Sequence, residues 1–160
     1  MEHGDHVALN YDLDAPLVEC TSIEDWKEKA KGHKVFVTPH HMGYQGGYRG
    51  YNWKCFTEGD ITPFVEMYSR HGLAESDQGD YPYLHDMGPR QWEGTIQYGL
   101  EQGHKFGIMA STDQHSGYPG SYGDGRIGVL APSLTRDAIW EALRTRHVCA
   151  ATGDKIIIDF

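Results

Sequence analysis

Asp113 and His115 stand two residues apart in the segment Ser111-Thr112-Asp113-Gln114-His115, directly after the apolar run 106–110. On extended backbone alternate side chains point the same way, so a carboxylate oxygen and an imidazole nitrogen at this spacing can address one cation. The plainer alternative is a turn aspartate capping backbone amides beside an exposed histidine. Two other apolar runs end in residues of the same type. Run 35–38 leads into His40 and His41, and run 64–67 contains Glu66 and leads to His71 and Glu75. Ten histidines in 160 residues is a high count for the commonest metal ligand and neutral-pH acid–base group. Neighbouring side chains diverge, so one of His40 and His41 is expected to ligate while the other orients substrate or supports the ligand. His6, at the start of a short strand candidate, is either a further ligand or a solvated residue. Glu66, inside an apolar run, is expected to be paired in an interior or to face outward on an edge. Glu75, His85 and His104 fall in expected loops, where solvated side chains are the ordinary outcome.

Other chemistries find less support. There is no Gly-x-Ser-x-Gly elbow, no Gly-x-x-x-x-Gly-Lys phosphate loop, and no dinucleotide-binding pattern in 43–50. Cys20, Cys55 and Cys149 are far apart and form no Cys-x-x-Cys pair, which argues against a disulfide framework or thiolate zinc site and favours a reducing, cytoplasmic compartment. A net charge of −9 without a compensating basic run argues against nucleic acid as partner. No stretch reaches the roughly 18 to 20 apolar residues of a membrane span, and the first residues lack the basic and apolar regions of a signal peptide. A soluble chain is expected. An anionic substrate would need a local cation, and a metal is one.

The elements that must position these residues follow from pattern. Residues 6–11 read as a strand, and Thr21-Ser22-Ile23-Glu24 has capping-box spacing before a helix over 22–31 that Gly32 stops. Strands are expected at 35–38, 63–68 and 106–110, with shorter ones at 127–130, 147–150 and 156–160. Helices are expected at 91–102 and from Thr135 to about Arg146. Residues 42–61 mix five glycines with Tyr44, Tyr48, Tyr51 and Trp53, which suggests a long aromatic loop serving as a lid over a pocket. In α/β sheets and barrels, chemistry gathers at the carboxyl ends of parallel strands, so these separate segments are expected to meet there.

Taken together, Pro39-His40-His41, the segment 64–72 with Glu75, Ser111 to Gly117, and the tail around Ile127, Leu134 to Leu143 and Ala151-Thr152-Gly153 resemble the polymerase and histidinol phosphatase (PHP) superfamily. The likeness is to an uncharacterised branch of PHP-like metal-dependent hydrolases. It implies an α/β fold, a distorted (β/α)7 barrel of mostly parallel strands with flanking helices and long loops, whose mouth holds up to three divalent ions. Zinc, manganese or iron would be the metal. The His-x-His strand and early acidic ligand that open that family have no counterpart here, so residues 1–160 would form a single domain lacking its amino-terminal half. Such a chain is either an excised fragment or a half-barrel standing alone, and in the second case a homodimer covering the open barrel edge is expected.

Carried onto this sequence, the resemblance implies His6, His40, Glu66, Asp113 and His115 as metal ligands. His41 or His71 would be the base, and Arg49 and Arg126, in the loops 42–61 and 116–126, would hold a small anionic substrate such as a phosphoester. The expected activity is metal-dependent hydrolysis. The alternatives are a non-catalytic metal-binding or interaction module, and a chain with no metal at all.

Overall fold

The structure, a computed structural model, describes residues 3–15, 17–79, 87–118, 120–121 and 124–154. The strand expected at 156–160 and His85 lie outside the described residues. Strand β1, His6–Asn10, pairs antiparallel with β2, Val35–Pro39, so that His6 faces Pro39 and Asn10 faces Val35. Between them helix α1, Ile23–Lys29, starts where the Ser22 side chain accepts a hydrogen bond from the Asp25 amide. All five residues of β2 are buried because the strand is covered on both faces. Val35 and Val37 pack with Trp26 and Ala30 of the α1 region. Phe36, of opposite parity, packs with Phe64 and Met109.

Strand β3, Phe64–Ser69, is the centre of a mixed sheet. It pairs antiparallel with β4, Gly72–Leu73, through the two-residue turn Arg70-His71, and parallel with β5, Gly107–Ala110. The register slips between Glu66 and Tyr68, a bulge of the kind that re-aims side chains near functional sites. The last sheet is the antiparallel pair of β6, Arg126–Val129, and β7, Val148–Ala151. Helix α3, Arg136–Arg144, connects them, with the Thr135 side chain accepting from the Ala138 amide.

This arrangement corrects the barrel expectation. Among the described residues there are three small sheets, of two, three and two strands, no closed barrel, and a single parallel pair, β3 with β5. Strand–helix–strand order leaves strand direction open, and here two connections return to the edge they left. Val129 pairs with Val148, so α3 lies inside a long antiparallel hairpin rather than a crossover. Tyr11 donates from its amide to the Lys34 carbonyl, closing the β1–β2 ladder in the same way.

The loop 42–61 also differs from its expected role as a lid. Met42, Tyr51 and Trp53 join Val65, Ala74 and Ile96 in a hydrophobic core, and Tyr44 is fully buried. Gly50 makes the necessary tight return: a Cβ there would fall 1.8 Å from the Tyr44 carbonyl oxygen. The helix expected over 91–102 is split into a 3-10 turn, Trp92–Gly94, and helix α2, Ile96–Glu101, because Thr95 caps the second piece by accepting from the Tyr98 amide. Among the described residues no helix is long and apolar enough to cross a membrane.

Candidate metal centre

Three strand ends converge. β2 delivers His40 and His41, the β3–β4 turn delivers His71, and β5 delivers Ser111 to His115. Gly125 lets the segment before β6 lie directly over the end of β5, since a Cβ there would sit 2.5 Å from the Ser111 carbonyl oxygen. At the centre of the convergence is one atom, Asp113 Oδ2. It lies 3.4 Å from His40 Nε2, 3.3 Å from His41 Nε2 and 3.4 Å from His71 Nε2. The four side chains are nearly closed off from solvent, with 11 to 14 % of their surface exposed. His115, an exposed residue, completes a second ligand-type group with His71 and Asp113.

The other face of each leading imidazole is held by a carboxylate. His40 Nδ1 lies 2.9 Å from Glu66 Oε1, and His41 Nδ1 lies 2.8 Å from Asp5 Oδ2. Glu66 is in turn fixed by Ser111 Oγ, which donates to Oε2 over 2.6 Å. A carboxylate behind a histidine sets its tautomer and ring orientation and raises the basicity of the opposite nitrogen, as is usual behind metal-binding histidines. Both Nε2 atoms are thereby aimed at Asp113. His41 and Asp113 achieve this in the left-handed backbone region, at φ 54° and 46°. His and Asp tolerate that region better than most residues, and such strain gathers at functional sites.

The electrostatics report a site that attracts cations. Burial pulls the His40 pKa down, but hydrogen bonds to Asp113 and Glu66 outweigh it and raise the value to about 10. The bonds from His40 and His41 hold the Asp113 carboxyl well below the usual carboxylate range, against the opposing effect of burial. The carboxylates around His40 thus favour its protonated form.

The donors fit a divalent ion. Two ligand atoms at about 2.0–2.1 Å from a tetrahedral ion stand roughly 3.3–3.4 Å apart, whereas a charge-assisted N–H···O bond is about 2.7–2.9 Å. The three imidazoles approach Asp113 at 3.3–3.4 Å, a spacing that suits a shared ion as well as a long hydrogen bond, while the bonds to Glu66 and Asp5 are shorter. His40, His41 and Asp113 form one candidate group, and His71, Asp113 and His115 the other, sharing Asp113.

The structure brings together His40, His41, His71, Asp113 and His115 from the sequence-based set, and gives some of them other positions than expected. His41 and His71 stand as ligand-type donors rather than as a detached base. Glu66 has both oxygens engaged, so it positions His40 rather than facing an ion. His6 turns away: its Nδ1 lies 3.2 Å from the Gly4 carbonyl oxygen and its ring meets Tyr51 edge-on. Arg126 spends its guanidinium on the carbonyls of Gly120, Ser121 and Gly153. Arg49 lies over the Tyr48 ring, 5.6 Å from its centroid.

Asp5 is the residue sequence reasoning missed: it lies just before β1 in a stretch with no pattern of its own, and only its contact with His41 marks it. Asp5→Ala is expected to weaken divalent-ion affinity about 10- to 100-fold, the usual cost of losing an outer partner. Competition against a chelating fluorophore measures it, and an unchanged affinity would remove the positioning role assigned to Asp5.

No family model and no solved structure matches this chain. A protein of Chlamydia trachomatis serovar D, described as uncharacterized, is 28% identical over 122 residues, which is 69% of this chain and 20% of that protein. An uncharacterized protein of Chlamydia muridarum is 29% identical over 107 residues, 60% of this chain and 17% of its own length. The chain therefore resembles, and spans, about a fifth or less of the length of the curated relatives it matches.

Proposed function

We propose that this chain binds divalent metal ions through His40, His41, His71, Asp113 and His115, and that the centre hydrolyses a small anionic ester of the phosphoester type. One observation carries the reading: three imidazole nitrogens stand 3.3–3.4 Å from a single carboxylate oxygen, two of them backed by carboxylates. The mixed nitrogen and oxygen donor set suits zinc, iron or manganese better than magnesium or calcium. When bound, such an ion supplies Lewis acidity and an activated water at neutral pH. His40, His41 and Asp113 would hold one ion, and His71, Asp113 and His115 form the other group that could hold one. Glu66 and Asp5 keep the rings in the binding tautomer, and Ser111 locks Glu66. With His41 and His71 used as donors, proton transfer is no longer assigned to either.

Elemental analysis after dialysis against zinc or manganese, followed by hydrolysis of p-nitrophenyl phosphate, tests the proposal. At least one tightly held ion per chain and ion-dependent ester cleavage are expected. Retained ion without cleavage would leave a metal-binding module instead, and no retained ion would overturn the reading.

A further inference from the structure

The two turns that carry the centre face each other in register. His71 meets Asp113 at 3.4 Å, and their chain neighbours meet as well: Arg70 Nη1 donates to Gln114 Oε1 over 3.2 Å. Gln114 is itself fully occupied. Its Oε1 also accepts from the Ser116 amide at 3.2 Å and hydroxyl at 2.9 Å, and its Nε2 donates to Ser121 Oγ and Asp124 Oδ2, both at 3.4 Å. Arg70 is thus an exposed guanidinium held beside the ligand residues by a side chain that is itself fixed.

Other arginines that carry a described bond are committed elsewhere. Arg144 pairs with Glu141 and Asp60, Arg90 and Arg126 hold main-chain carbonyls, and Arg136 lies over the Tyr11 ring while donating to the Tyr11 carbonyl. Among the described residues no carboxylate lies within 4.0 Å of Arg70. A guanidinium has five N–H donors in a planar fork matched to phosphate oxygens, and the bond to Gln114 uses one. In a chain of net charge −9, a cation with no ion pair among the described residues, next to a ligand cluster, calls for an anion.

We propose that Arg70, oriented by Gln114, binds the phosphoryl group of the substrate at the mouth of the centre. This makes Arg70 the substrate-binding arginine in place of Arg49 and Arg126, and makes the ester one with a free anionic phosphoryl group. The inference rests on the metal-centre reading above.

The test is calorimetric titration of inorganic phosphate into manganese-loaded protein, with manganese content measured on the same samples. Arg70→Ala is expected to keep the manganese content of the native chain and to bind phosphate about 10- to 100-fold more weakly, as for loss of a charge-assisted hydrogen bond. Arg70→Lys is expected to recover part of the affinity, because it restores the charge without the fork. Arg49→Ala is expected to bind phosphate as the native chain does. Unchanged phosphate affinity in Arg70→Ala, with manganese retained, would overturn this inference and leave the metal centre standing. A native chain that takes up neither manganese nor zinc would overturn both.

Discussion

Asp113→Ala is expected to reduce bound divalent metal to near zero, with a loss of affinity of more than about 100-fold, beyond the cost of losing an outer partner. Asp113 Oδ2 is the one atom that approaches His40, His41 and His71, and Asp113 belongs to both candidate ligand groups, so its removal dismantles both. Alanine also disfavours the left-handed backbone at this position, at a cost of about 1–2 kcal/mol. Asp113→Asn separates the two effects, because asparagine accepts that backbone and keeps an oxygen without the charge. It is expected to fold normally and to bind metal weakly. Elemental analysis of purified variants, with circular dichroism as a control on folding, reads the result. Unchanged metal content in Asp113→Ala would remove the centre as described.

Trp53→Ala is expected to lower stability by about 3–5 kcal/mol, the usual cost of truncating a buried aromatic side chain and a large share of a typical domain's stability. Trp53 is only 4% exposed and stacks with His104 and Phe106, with Tyr51 and Phe56 packed around it. Its Nε1 donates to the Thr95 carbonyl oxygen over 2.9 Å. The ring lies so close to α2 that a Cβ on Gly99 would come within 2.3 Å of it. Urea unfolding monitored by circular dichroism measures the loss. A lid residue would give almost none, so a change below about 0.5 kcal/mol would return the loop 42–61 to the role its composition first suggested.

The local elements were legible in the sequence because their signals are local. Ser22 and Thr135 cap α1 and α3 by accepting amide hydrogen bonds, and the β-branched and apolar runs form β2, β3 and β5 within a residue or two of the expected ends. Strand direction was not legible. A helix between two strands is compatible with either sense, and the pairing of Val129 with Val148 is decided by tertiary packing. The aromatic loop misled for a related reason: glycine and tyrosine without periodicity mark irregular backbone, but they do not say which way the rings point. Tyr44 and Trp53 point inward.

The candidate site was partly legible. Ligand-type residues just past apolar strands are what a converging centre needs, and His40, His41, His71, Asp113 and His115 do converge. Asp5 and His6 are told apart only by their contacts, Asp5 on His41 and His6 on the Gly4 carbonyl and the Tyr51 ring. Whether a carboxylate touches an ion or the histidine behind it depends on distances within a few ångströms. Glu66, with Ser111 on one oxygen and His40 on the other, is settled at that scale.

The three sheets are not joined by one continuous ladder, and the centre sits where the ends of the β1–β2 pair and of the β4–β3–β5 sheet meet. In polymer terms it is a cross-link. His41 and Asp113 are 72 residues apart in sequence, so an ion joining them would close a long loop of the chain at a single point. Closing loops of that length costs entropy that grows only slowly with length, and a strongly bound ion offsets it once for several segments together. The ion would thus act on the folding equilibrium as a staple across otherwise separate sheets, and local opening of β2, the β3–β4 turn and the end of β5 would become one cooperative event instead of three.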